Sequence, residues 1–138
     1  MSAKRAALIA AAIFLAPAAA FAAHGKVGLW SSTTTANIPG LPPQKQTSTY
    51  CMTQAEVNSN EPVNRNPDCT YSNVRSDGRT FSADMVCKGQ LNATGHLTTT
   101  YDSDTHYTAS VTINTGDTSL TNAVEGKWVK ADCAGAQH

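Results

Sequence analysis

The chain has little charge and no excess of either sign. Ten basic and ten acidic residues stand among 138, for a net charge of zero. So neutral a chain offers no electrostatic footprint for nucleic acid or an anionic membrane surface, and neither is expected as a partner. The short motifs of common chemistries are missing too: no G-x-S-x-G, no H-E-x-x-H and no phosphate-binding loop occurs. There is no C-x-x-C, and the cysteine spacings of 18, 18 and 46 do not resemble a zinc ligand set. No internal repeat is evident.

What is present begins with a leader. Lys4 and Arg5 supply a positive start, Ala6 to Ala16 an apolar run, and Ala20-Phe21-Ala22 small residues where a peptidase reads, so residues 1–22 read as a secretory signal peptide. The apolar run is short for a membrane span and Pro17 interrupts it, so stable membrane insertion is not expected. No cysteine follows the cleavage site to take a lipid anchor. Cleavage after Ala22 leaves 116 residues, 23–138, one domain by size, with eight basic and ten acidic residues once Lys4 and Arg5 are gone. All four cysteines lie in this part, an even number in an exported chain, which predicts two disulfides and an oxidising compartment.

Residues 69–130 read as five antiparallel strands in succession. The turns between them are Ser76-Asp77-Gly78-Arg79, Lys88-Gly89-Gln90, Asp102-Ser103-Asp104-Thr105 and Gly116-Asp117. Side chains alternate along a strand, so correct registers must bring the apolar residues of neighbours to one face. A Gly116-Asp117 loop sets Ile113 against Leu120 and Ala109 against Val124. A Ser103–Thr105 loop sets Tyr101 against Tyr107 and Leu97 against Val111; a Lys88–Gln90 loop sets Cys87 against Leu91, Met85 against Ala93 and Phe81 against Leu97. The first hairpin places Tyr71 opposite Met85 and Cys69 opposite Cys87. One face is then apolar, from Tyr71 and Phe81 through Leu97 and Tyr107 to Val124 and Trp128. The other is mostly Thr and Ser, with Val74 and Val86 as exceptions, which suits a solvated sheet face. This register selects a Cys69–Cys87 disulfide, and Cys51–Cys133 follows by elimination.

Before the meander, Lys26 to Thr35 reads as an opening strand and Thr47 to Met52 as a second. Between them Ile38-Pro39-Gly40-Leu41-Pro42-Pro43 cannot continue a ladder, because three prolines remove donors. Thr53-Gln54-Ala55-Glu56 has capping-box spacing and predicts one helical turn, followed by a polar, Asn- and Pro-rich loop to Asp68. The fold class is therefore all-β: an antiparallel meander of about seven strands with two disulfides, in a strongly curled sheet or small barrel. A closed eight-stranded barrel is the variant kept open.

Gly28-Leu29-Trp30 with its following Thr run, the Pro39-Gly40-Leu41-Pro42 loop, Cys51-Met52-Thr53, Cys69, Met85-Val86-Cys87 and Cys133 occur in an order similar to a bacterial family, the domain of unknown function numbered 3617. The resemblance implies a small exported protein of Gram-negative bacteria and brings no established activity. Where the family's proline loop is rich in methionine, this chain has Ile38 and Leu41, which puts a soft-metal role of that loop in question here.

Candidate chemistry is sparse. His24, His96, His106 and His138 do not converge in this register, so no metal site and no cofactor are expected. Asp102 and Asp104 sit in a hairpin loop, where Asp is favoured for turn geometry rather than as an acid/base pair. No catalytic residue is assigned, and the chain is read as a non-enzyme. The G-x-W at Gly28-Leu29-Trp30 also opens lipocalin-type barrels, though a core role for the Trp is the plainer reading. The expected function is a periplasmic or secreted binding module for an apolar small molecule, lipid or peptide. Trp30, Tyr101, Tyr107 and Trp128 are its candidate contacts, and Ile38 and Leu41 a lid. The alternative is an interaction or inhibitor module that meets an envelope protein through loops 36–46 and 53–68. Oligomeric state is left open.

Overall fold

A computed structural model describes residues 25–59, 66–89 and 92–136. The leader 1–22, His24, Gln90, Leu91, His138 and positions 60–65 of the polar loop, all singled out above, lie outside the described residues. Within them the chain forms seven strands and one short helix: β1 (Gly28–Asn37), β2 (Gln44–Met52), α1 (Gln54–Asn58), β3 (Cys69–Ser76), β4 (Thr80–Cys87), β5 (Ala93–Ser103), β6 (His106–Thr115) and β7 (Thr118–Lys130). No helix among the described residues is long and apolar enough to cross a membrane.

All seven strands join one antiparallel sheet in the order β2-β1-β7-β6-β5-β4-β3. The meander thus forms as read, and the first hairpin docks on its last strand: β1 pairs β7, with Trp30 opposite Trp128. The sheet is a linear series in which β2 and β3 are edges, and no pairing between those two closes it among the described residues. Among the described residues the sheet has seven strands. Bare edges invite unwanted pairing, and each is handled differently. At β2 the C-terminal segment folds back: Thr49 Oγ1 donates to Gly135 O at 2.9 Å, and Cys51 is bridged to Cys133. At β3 a bulge sets Asn73 and Val74 against Ala83, with Asn73 at φ 49. Asn tolerates that left-handed backbone better than most residues.

Three hairpin registers hold across their paired bodies. Ile113 faces Leu120, Tyr101 faces Tyr107, and Tyr71 faces Met85. The turn itself differs in two of them: the β3–β4 register shifts at the Asn73 bulge, and the β5–β6 register shifts between Tyr101 and Ser103, beside Asp102. The β4–β5 register differs throughout. Cys87 faces Ala93, Met85 faces Gly95 and Phe81 faces Thr99, in place of Leu91, Ala93 and Leu97. The connection is 88–92 rather than 88–90, so every partner moves by two positions. A two-residue slip keeps side chains on their own face, and the apolar face survives it intact. Both early strands are also longer or shifted: β1 starts two residues later and ends two later than expected, and β2 starts at Gln44.

The main buried cluster sits at one end of the sheet, while Phe81, Ala83, Met85 and Ala93 are buried along β4 and the start of β5. Trp30, Tyr50, Met52, Val57, Tyr101 and Tyr107 form that cluster, with Trp30 and Met52 fully buried. Val57 reaches it from α1, whose capping box forms as predicted: Thr53 accepts from Glu56 N, and Glu56 Oε2 accepts from Thr53 N at 2.7 Å. The segment before β1 covers the same end. Lys26 N donates to Asp104 O at 2.9 Å, and Trp30 Nε1 donates to Lys26 O at 2.8 Å. Gly25 is buried at φ +76, where a Cβ would press on the Trp30 and Tyr101 rings.

Candidate functional site

The sheet has two unlike ends. Around Trp30 it is filled with rings: Trp30 lies edge-on to Tyr101 at 6.2 Å between centroids and tilted against Tyr107 at 5.6 Å, separations that suit aromatic pairs. Burial pushes the Tyr50 and Tyr101 phenols well above their ordinary range, so neither ionises at neutral pH. Tyr50 Oη donates to Tyr107 Oη at 3.2 Å although β2 and β6 are three places apart in the sheet.

Beyond the rings the same face opens into a cleft of about 250 Å³, lined from all seven strands. Ser32 and Thr34 come from β1, Tyr50 from β2, Tyr71 from β3, Phe81 and Met85 from β4, Leu97 and Thr99 from β5, Ala109 and Val111 from β6, and Val124 from β7. Leu97, Ala109, Val111 and Val124 are only half-buried. A second cleft of about 450 Å³ shares Tyr71 and Met85 with the first and runs on past Ala93 and Ile113 to Asn66 and Asp68. The two clefts adjoin at Tyr71 and Met85, the first reaching the aromatic rings and the second the Cys69–Cys87 disulfide.

The protein-family model described as a protein of unknown function (DUF3617) matches residues 25–133. The chain belongs to the DUF3617 family. Neither curated proteins nor solved structures give a match. The matched span of this DUF3617 chain contains the whole sheet and both disulfides, Cys69–Cys87 as the register selected and Cys51–Cys133 as elimination left it.

The candidate contact residues divide by position. Trp30, Tyr101 and Tyr107 come together in the aromatic cluster, and Tyr101 and Tyr107 also line the cleft. Trp128 packs beside them with its Nε1 donating to Val27 O at 3.1 Å and the Lys26 ammonium 4.4 Å above its ring. Ile38 and Leu41 belong to the β1–β2 connection. Register carries that loop to the open end, since Asn37 pairs Thr121 near the start of β7, but neither residue is among those lining the two clefts. Reading the apolar face alone missed Ser32, Thr34 and Thr99, which the parity of β1 and β5 turns into the cleft. The signal was there in the register, since Ser32 and Thr34 share Trp30's parity and Thr99 lies opposite Ala109.

Two histidines of this DUF3617 chain meet carboxylates on the other face. His106 Nδ1 lies 2.8 Å from both oxygens of Asp102, and Nε2 lies 2.9 Å from Glu125 Oε1. Both bonds favour the protonated ring, and those to Glu125 first and Asp102 second hold the His106 pKa above its ordinary value. Glu125 is held low by the same bond and by Lys127, 3.3 Å away. His96 Nδ1 bonds Asp84 Oδ1 at 2.7 Å, and Asp84 also accepts from Asn73 Nδ2 at 2.7 Å. Those two bonds, Asn73's first, lower the Asp84 pKa. Among the described residues no group of three or more His, Cys, Asp or Glu side chains is placed to hold a metal ion.

Proposed function

We propose that this protein is a non-catalytic binding module that holds an apolar small molecule, lipid or peptide in the trough on its inner sheet face. The supporting observation is the half-exposed state of Leu97, Ala109, Val111 and Val124 around the 250 Å³ cleft. Ligand sites are concave and mostly apolar with a few polar groups. Here the hydroxyls of Ser32, Thr34 and Thr99 supply those groups.

We read the sheet as curled along its width into an open half-barrel. Three strand spacings span about 14 Å on a flat sheet, and the hydroxyl contact between Tyr50 and Tyr107 across that interval favours curvature. Binding rather than catalysis fits the spent nitrogens of His106, since a general base needs a free lone pair. Residues 1–22 are a cleaved leader in this proposal, and the mature chain works in the periplasm or outside the cell. Its two disulfides favour such an oxidising compartment.

The test is the mass of the purified mature protein under native and denaturing conditions, followed by titration with an apolar fluorescent probe. A denatured mass starting at Ala23 and lacking about four hydrogens supports export with both disulfides formed. An added native mass of a few hundred daltons, or saturable probe binding abolished by Ala109→Trp, supports the trough. A bare protein that also ignores the probe sinks it. A second reading then takes over, favoured by Leu41, which is 59 % exposed at the tip of an ordered connection. In it, loops 36–46 and 53–68 meet an envelope protein.

A further inference from the structure

The inner face is polar on one side and hydrocarbon on the other. Thr33 and Thr47 bond each other through their hydroxyls at 2.9 Å on the outer face. Ser32, Thr34 and Gln46 have the other parity and share the inner face with Trp30 and Tyr50. One ladder row crosses the sheet from Gln46 on β2 and Thr34 on β1 to Val124, Ala109, Thr99 and Phe81. The next row runs from Ala36 on β1 through Asn122 on β7 to Val111, Leu97 and Ala83. Neither row carries a charge. Hydroxyls and amides stand toward β2, β1 and the middle of β7, and hydrocarbon, Thr99 apart, toward β6, β5 and β4. A solvated rim does not account for this, because β1 is flanked by β2 and β7 and is no edge strand. Ser32, Thr34 and Asn122 are half-buried, and among the described residues their side chains have no hydrogen-bond partner.

We infer that the first cleft takes an uncharged glycosyl amphiphile laid across the strands, its sugar toward β2 and β1 and its hydrocarbon on β6, β5 and β4. This rests on the binding reading above and adds head group and orientation to it. Complementarity of hydrogen bonding decides the head. Ser and Thr hydroxyls and Asn and Gln amides each donate and accept, as the hydroxyls of a sugar do, so the pairing needs no charge. A carboxylate, phosphate or ammonium head would give up water with no counter-charge in either row to replace it. From β1 to β5 is three strand spacings, about 14 Å on a flat sheet, which is room for a sugar ring and a short alkyl chain.

Three probes separate the parts of such a ligand: octyl glucoside, octanol and glucose, each titrated calorimetrically, below any micelle concentration, into the mature disulfide-bonded protein. Octyl glucoside is expected to bind about tenfold more tightly than octanol, the order of one or two net hydrogen bonds, with glucose weakest. The ratio of the first two affinities is the readout. Gln46→Leu combined with Asn122→Leu brings it toward one. Thr34→Val, which keeps the shape of the side chain and removes the hydroxyl, lowers it roughly threefold by itself. Thr108→Val, on the outer face, leaves it at the parent value. If octyl glucoside binds no more tightly than octanol, or if the ratio survives both sets of substitutions, the sugar assignment is wrong and octanol binding keeps the apolar cleft. Glucose binding as tightly as octyl glucoside would mean that the hydrocarbon wall is not used, and the orientation fails. If neither octanol nor octyl glucoside binds, both readings fall together.

Discussion

Gly126 shows how one missing side chain shapes the closed end. It lies opposite Tyr107 in the β6–β7 ladder and faces inward, and a Cβ placed on it would overlap the Tyr107 ring. The ring lies over the glycine and from there reaches Trp30, Tyr101 and the Tyr50 hydroxyl. Gly126→Ala must therefore push Tyr107 out of its rotamer, and overpacking of this kind costs about 1–3 kcal/mol. Urea denaturation of the variant measures it. In a Tyr107→Ala background the same substitution should cost far less, and the difference is the coupling energy of the pair. Equal costs in both backgrounds would mean that the ring does not depend on the glycine. None of this was readable from the chain, where Gly126 reads as an interruption of β7. His106 was half-legible. The turn reading set it opposite Asp102, whereas the shifted register pairs it with Ser103 and Asp102 reaches it by its side chain; Glu125 lies diagonally across the ladder on β7, and the β6–β7 register brings it within 2.9 Å.

At the scale of elements, period-two alternation fixed which face each strand buries more firmly than it fixed which residues pair. The β4–β5 hairpin makes the distinction plain. Its connection is two residues longer than the turn chemistry suggested, and because two is the period of a strand, the faces stayed right while every partner changed. Bulges were equally invisible, since the extra residue at Asn73 leaves the pairing of Tyr71 with Met85 as it would be without it. Cys69–Cys87 was legible because it sits where a register is firm, and Cys51–Cys133 followed only by elimination. Loop-closure entropy then ranks them: Cys69–Cys87 closes 18 residues and Cys51–Cys133 closes 82. On the chain-entropy model these are worth about 3 and about 4.5 kcal/mol. Replacing each pair with alanine and comparing thermal unfolding should show the larger loss for the 51–133 pair. That pair also fastens the C-terminal segment over the β2 edge, so its removal should raise aggregation as well. The α1 cap belongs to the same scale. Thr53→Ala removes one side of the capping box and should cost about 1 kcal/mol, read in the same unfolding experiment, because α1 exists to seat Val57 in the core.

For the molecule as a whole, the carboxylates and His106 set a pH window. His106 has its folded pKa raised above the ordinary 6.5 by Glu125 and Asp102. Folding therefore binds its proton more tightly, and this contribution is complete below about 6.5 and is lost as pH climbs through the raised folded value. Glu125, Asp84 and Asp132 are shifted the other way, from ordinary values of 4.5, 3.8 and 3.8. The causes are the bond to His106 for Glu125, to Asn73 for Asp84, and to the Ala134 amide for Asp132. Their contributions are present above those ordinary values and fade as pH falls through the lowered ones. The two limbs leave a plateau of greatest stability between about pH 4.5 and 6.5, with a decline on the alkaline side that belongs to His106. These groups are exposed or half-buried, so the limbs should be shallow and should flatten in high salt. Chemical denaturation at a series of pH values, run on the parent and on His106→Gln, separates the contributions. The variant should lose the alkaline decline while keeping an acid limb from Asp84 and Asp132, which do not touch the histidine. An alkaline decline unchanged in His106→Gln would place its origin elsewhere, and the link between the β5–β6 turn and β7 would then carry no pH-dependent stability.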